Sequence, residues 1–104
     1  MFPMETISGK MIDYYVGRKD VIIIDLRDKN EYDKSHIRGA LNFPYGETGW
    51  KREYPKDKIL ILYCDRGGAS LMAARELARR GFRTRSLVGG FEAYRGRNIV
   101  STSS

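Results

Sequence analysis

The residues best placed for chemistry lie in Tyr63-Cys64-Asp65-Arg66-Gly67-Gly68-Ala69-Ser70, a stretch that holds the only cysteine of the chain. Gly67 and Gly68 allow backbone angles that turn successive N–H groups inward, so the loop can form a concave nest for an anion. Such a nest at a helix N-terminus, with Arg66 beside it, stabilises negative charge on the Cys64 sulfur, and Asp65 works modestly against it. A cysteine within a strand packs as a small hydrophobe. One that follows a strand and precedes paired glycines reads instead as a nucleophile.

The flanking elements must hold that loop in place. Ile59 to Tyr63 is an apolar run without polar alternation, as expected of a strand buried on both faces of a parallel sheet. From Ser70 the period becomes helical, with Leu71, Ala74, Leu77 and Ala78 on one face, an i,i+4 pair in Glu76 and Arg80, and Gly81 as the C′ stop. Val21 to Arg27 predicts a second central strand, with Asp25 and Arg27 at its carboxyl end. Ile7 and Ser8 predict a short first strand, and Gly9 to Arg18 a helix that turns Met11, Ile12 and Tyr15 inward. Asp28 or Asn30 can cap a short helix through Lys34. Ala40 to Phe43 predicts a strand stopped by Pro44, and an irregular helix around Trp50 follows. Phe82 to Val88 predicts a last strand, Phe91 to Arg95 a short helix, and Asn98 to Ser104 a frayed terminus. Strands alternating with helices argue for an α/β domain whose ligands bind outside the carboxyl ends of parallel strands. Asp25, Arg27 and Cys64 all fall at that edge.

A chain of 104 residues is expected to form one domain over residues 1–104, with its core from about residue 5 to residue 97. One cysteine makes no internal disulfide, and with a single histidine it builds no ordinary zinc site, so neither metal nor cofactor is expected. The N-terminal residues lack a basic stretch followed by an apolar run, and no segment reaches membrane-spanning length, which gives a cytoplasmic reading without a membrane partner. The net charge of +6 is uneven: from Cys64 onward there are eight arginines and no lysine against three acids. An electrostatic funnel for small anions or an acidic partner is one reading, and a solvated helix face with an arginine-rich tail is the other. No groove-reading motif accompanies the charge, so nucleic acid is not expected.

Several of these residues resemble the rhodanese-like sulfurtransferase domains. Val21-Ile-Ile-Ile-Asp-Leu-Arg27, Glu31-Tyr32 and His36-Ile-Arg-Gly-Ala-Leu-Asn-Phe-Pro44 are similar to the family's first signature. Tyr63-Cys64 with Gly67 resembles its catalytic loop, and Gly81-Phe82 through Leu87-Val-Gly-Gly-Phe-Glu-Ala-Tyr94 its closing segment, which usually has Trp at the position of Tyr94. The resemblance implies a three-layer domain, with a five-stranded parallel sheet flanked by helices. It also implies that Cys64 takes sulfane sulfur from a small anion such as thiosulfate. A persulfide would carry that sulfur to cyanide, a small thiol or an acceptor protein's thiol, its charge shared by the N–H groups of Arg66, Gly67, Gly68, Ala69 and Ser70. Where the usual loop reads Cys-x-x-Gly-x-Arg-Ser, this chain has Ala69 in place of the arginine, and Arg66 is the candidate substitute.

A phosphatase of similar architecture needs Cys-x5-Arg, and here that position is Ser70. The main rival is a rhodanese-like domain kept as a binding or regulatory module, or as a sulfur relay tied to one partner. His36 is expected to join loops by hydrogen bonds, and Asp25 and Arg27 to brace the active edge as an ion pair, each with a possible place at the pocket edge. Trp50, Tyr45 and Tyr54 are expected to be packing residues. A monomer or weak dimer is expected.

Overall fold

The computed structural model of the chain describes residues 4–102. Strand β1 (Glu5–Ile7) leads to α1 (Gly9–Tyr15), β2 (Val21–Asp25), α2 (Lys29–Lys34), β3 (His36–Ile37) and β4 (Leu41–Asn42). A single 3₁₀ turn (Gly49–Lys51) precedes β5 (Ile59–Tyr63), α3 (Gly68–Arg79), β6 (Arg83–Leu87), α4 (Gly90–Ala93) and β7 (Ile99–Val100). Five strands form one parallel sheet in the order β1-β6-β5-β2-β4, and β3 pairs antiparallel with β7.

Every residue of β5 is buried, and its side chains alternate between two cores. Leu60, Leu62 and Cys64 join Ala73, Ala74 and Leu77 of α3, together with Trp50, Tyr54 and Phe82. Ile59, Ile61 and Tyr63 join Ile12 of α1, Ile37, Leu87 and Tyr94. Burial of apolar side chains on both faces explains the absence of polar alternation in this strand, and gives the expected three layers. No helix among the described residues is long and apolar enough to cross a membrane.

Element boundaries differ from the expectations in instructive places. Ser8 is not a strand residue: its hydroxyl accepts from Met11 N at 3.1 Å and caps α1. Met11 then faces solvent, and the buried contact on α1 falls to Ile12. The strand expected over residues 40–43 shortens to β4, although Phe43 N still donates to Asp25 O at 3.0 Å. The Arg80 guanidinium turns away from the Glu76 side chain. It reaches Lys51 O at 2.6 Å and Glu53 at 3.2 Å, anchoring the end of the 3₁₀ turn and the segment after it. The terminus expected to fray from Asn98 is instead tied down through residue 102. β7 pairs with β3, and Thr102 Oγ1 donates to Asp33 Oδ1 at 2.8 Å. Residues 103–104 of that expected tail lie outside the described residues.

Trp50 and Tyr54 are buried in the α3-side core, and half-exposed Tyr45 stacks on Trp50 with 5.5 Å between ring centroids. Burial pushes the Tyr54 phenol up to about 12 and also raises Tyr63, where the charge of Asp25 adds to the effect. The unfolded phenols ionise first, near pH 10, while the folded protein keeps its protons. Stability is therefore complete below about pH 10 and falls above it, by up to about 1.4 kcal/mol per pH unit for each such tyrosine. Urea midpoints should drop between about pH 8 and about pH 11. Tyr54→Phe should lower the midpoint at the lower pH, through loss of the bond to Trp50 O, and shrink the drop itself. An undiminished drop in that variant would assign the effect elsewhere.

Candidate active site

β5 and β2 are neighbours, and Leu26 N donates to Tyr63 O at 2.8 Å as both segments leave the sheet. The chain after β5 forms α3 on one face. The chain after β2 forms α2, whose Tyr32 packs on the other face. Parallel sheets open a crevice where successive connections part in this way.

Cys64 stands in that crevice, 7% exposed. Gly67 adopts φ +106°, a left-handed conformation that suits glycine, and so turns the loop under the sulfur. Gly67 N–H donates to Sγ at 3.2 Å and Ser70 N–H at 3.4 Å. The thiol donates to Ser70 Oγ at 3.6 Å, while that hydroxyl donates to Gly67 O at 3.2 Å and bonds Ser86 Oγ at 2.8 Å. Gly68, Ala69 and Ser70 precede the first helical bond of α3, Leu71 N to Gly67 O at 3.1 Å. Their N–H groups are those that a helix leaves without an internal acceptor. Negative charge on Sγ, or on a second sulfur attached to it, therefore meets fixed backbone donors.

The loop is held from the far side by α4. Phe91 N donates to Cys64 O at 2.8 Å and Glu92 N to Asp65 O at 3.0 Å. Beside the loop, Arg27 grips buried Asp25 through Nε at 3.1 Å and Nη2 at 2.8 Å, and its backbone N–H donates to Asp25 Oδ1 at 2.8 Å. The same guanidinium donates to Ser35 O at 2.5 Å and lies 4.1 Å from the Phe91 ring centroid. Burial alone would lower the Arg27 pKa, but the hydrogen bonds and charge of Asp25 outweigh it and raise the pKa, so the group stays charged.

Of the residues singled out in the sequence, Arg27, Cys64, Asp65, Arg66, Gly68 and Ala69 line one cleft of about 700 Å³. Gly67 and Ser70 touch the sulfur from behind. Asp25 is fully buried under Arg27. His36 is not brought to the sulfur: its ring stacks on Tyr32 at 3.7 Å between centroids and its Nδ1 meets Tyr32 O at 2.7 Å. Arg66 stays at the rim, its side chain 84% exposed and 3.1 Å from Glu92.

Of the eight second-half arginines, Arg66 alone lines this cleft. Arg80 and Arg85 pair with Glu53 and Glu5. Arg95 and Arg97 line a separate cleft of about 750 Å³ with Lys10 and Asp13, which contains no cysteine. Sequence reasoning missed Glu31, Lys34, Ser35, Phe91 and Glu92 as cleft residues, and Ser86 as a partner of Ser70. The signal for Ser86 was there: Thr84 and Ser86 are small polar residues at a two-residue interval, on the buried side of a strand whose arginines face outward, and Thr84 Oγ1 also bonds to α3, at Ala74 O.

The fold around this cleft recurs in known proteins. A tRNA sulfurtransferase of Desulfurococcus amylolyticus is 40% identical over 95 residues, which cover 89% of this chain and 19% of that protein. This chain thus corresponds to about a fifth of that relative. The thiosulfate sulfurtransferase GlpE of Coxiella burnetii is 31% identical over 91 residues, covering 86% of this chain and 85% of the relative. Among solved structures, reduced CoADR-RHD from Bacillus anthracis superposes with a TM-score of 0.78 at 32% identity, over 88% of this chain and 16% of that one. A rhodanese-like domain protein from Staphylococcus aureus reaches 0.82 at 22% identity, over 96% of this chain and all of its own (100%), and shares the fold. The family model described as Rhodanese-like domain matches residues 12–97, from within α1 to beyond α4. That span includes the Cys64 loop and both segments that hold it, and the chain belongs to the rhodanese-like domain family.

Proposed function

We propose that this chain is a sulfurtransferase that moves sulfane sulfur through a persulfide on Cys64. The observation that carries the reading is the recessed sulfur facing the N–H groups of Gly67 and Ser70 at the open end of β5. The sulfurtransferase names of its relatives support it.

In the first half-reaction the Cys64 thiolate attacks the outer sulfur of a donor such as thiosulfate. The Sγ–S bond forms as the donor's S–S bond breaks, and sulfite leaves with the electron pair. In the second, cyanide or an acceptor thiolate attacks the outer sulfur of the persulfide, and Cys64 leaves as thiolate. The backbone donors of the loop serve both steps, since each passes through a sulfur that carries negative charge in the same place. Arg27 steadies α4, the loop's neighbour, through its contact with Phe91. A reducing cytoplasm suits a free thiol of this kind.

Intact-protein mass spectrometry after incubation with thiosulfate tests the reading. The wild type should gain one sulfur and lose it on addition of cyanide, while Cys64→Ser should gain none. A second reading, a module that binds a partner without chemistry, draws on Ala69, which leaves the cleft without the usual loop arginine. A wild type that alkylates at Cys64 yet takes sulfur from no donor would favour that second reading.

A further inference from the structure

The cleft over Cys64 is electrically mixed. Arg27, Lys34 and Arg66 line it together with Glu31, Asp65 and Glu92, and Asp25 lies directly behind Arg27. The cations are also partnered: Arg27 with Asp25 at 2.8 Å, Arg66 with Glu92 at 3.1 Å, Lys34 with Glu31 at 3.8 Å. A dianion entering here meets as many negative side chains as positive ones. The cleft volume of about 700 Å³ lies in the range that takes organic ligands, and a small inorganic anion fills little of it. Ala69 and Phe91 add an apolar wall that such an anion leaves unused.

We infer that Glu92 sets the specificity of this site, favouring zwitterionic organic hydropersulfides, of the amino-acid or short-peptide class, over the thiosulfate dianion. This deepens the sulfurtransferase reading and rests on it. The donor's ammonium group meets Glu92 and Glu31, its carboxylate meets Arg66 and Lys34, and its carbon chain lies along Ala69 and Phe91. The Cys64 thiolate attacks the outer sulfur of R–S–SH. The bond from Sγ to that sulfur forms, the donor's S–S bond breaks, and the thiolate R–S⁻ leaves with the electron pair, so no outside oxidant or reductant is needed.

The Arg66–Glu92 pair is exposed and adds little stability of its own. Glu92 acts through its field, which repels a doubly charged donor and attracts an ammonium group. That makes the effect separable from folding. Glu92→Gln keeps the backbone N–H that holds Asp65 O and removes only the charge.

The test measures kcat/KM for sulfur loading of Cys64 from thiosulfate, from cysteine hydropersulfide, and from 3-mercaptopropionate hydropersulfide, which lacks the ammonium group. The wild type should prefer cysteine hydropersulfide to both others. At low ionic strength Glu92→Gln should raise the thiosulfate value about fivefold and lower the cysteine hydropersulfide value about threefold, as expected for removal of one nearby charge. Added salt should shrink both changes. If Glu92→Gln moves all three donors together, or moves none, the assignment to Glu92 is overturned while the sulfurtransferase reading stands. If no donor loads the wild type, both fall.

Discussion

Gly90→Ala is expected to abolish sulfur loading at Cys64 and to lower the unfolding midpoint sharply. Gly90 has φ +64°, and a Cβ there would lie 2.5 Å from the carbonyl carbon and oxygen of Asp65 and 2.6 Å from Cys64 O. These are backbone atoms of the Cys64 loop, which cannot swing aside as a side chain can. α4 would have to retreat, and with it the N–H groups of Phe91 and Glu92 that hold Cys64 O and Asp65 O. Left-handed strain and overpacking each cost about 1–3 kcal/mol, which puts the combined loss at roughly 2–6 kcal/mol. Urea unfolding and the sulfur-loading assay read the two effects separately. Gly46→Ala is the control, because a Cβ at Gly46 meets nothing within 4 Å. A Gly90→Ala protein that loads sulfur at the wild-type rate would show that the loop does not depend on this close approach.

Arg27→Met is expected to cost about 3–5 kcal/mol, the usual penalty for leaving one half of a buried ion pair behind. Asp25 is fully buried and Arg27 is 6% exposed, so neither charge can turn to water for compensation. Asp25 would keep the Arg27 backbone N–H and lose the guanidinium, and Ser35 O would lose its donor. Replacing both members, as Asp25→Leu with Arg27→Met, should recover a large part of the loss, because it removes the stranded carboxylate. A double variant as unstable as Arg27→Met would locate the cost in the Ser35 and Phe91 contacts instead.

What could be read from the amino-acid sequence was whatever local pattern decides. The unbroken apolar runs of β2 and β5 announce strands covered on both faces, and the helical spacing of α3 with Gly81 beyond it places the helix behind the cysteine. Asp25 and Arg27 are two residues apart, so their pairing needs little help from the rest of the fold. The missed features depend on distant returns of the chain. Glu92 reaches the cleft because α4 folds back onto the loop, and its sequence neighbours give no hint of Arg66. β7 is two residues long and gains its partners from β3, far earlier in the chain. Charge composition left two readings open for a related reason. It counts arginines but not their addresses, and only Arg66 of those after Cys64 lines the cleft.

The recess of the Cys64 sulfur also limits which thiols can ever touch it. A disulfide requires Cα atoms about 4.4–6.8 Å apart, and a sulfur handed from thiol to thiol demands a comparably close approach. Cys64 is only 7% exposed and its carbonyl is bonded by α4, so two rounded surfaces meeting here are poorly shaped to bring their backbones that near. Oxidative cross-linking of two copies through Cys64 is therefore expected to be slow, which non-reducing electrophoresis after diamide treatment would check. If sulfur leaves Cys64 for a protein thiol, as proposed above, that thiol would have to sit on a slender segment, so calibre would sort acceptors.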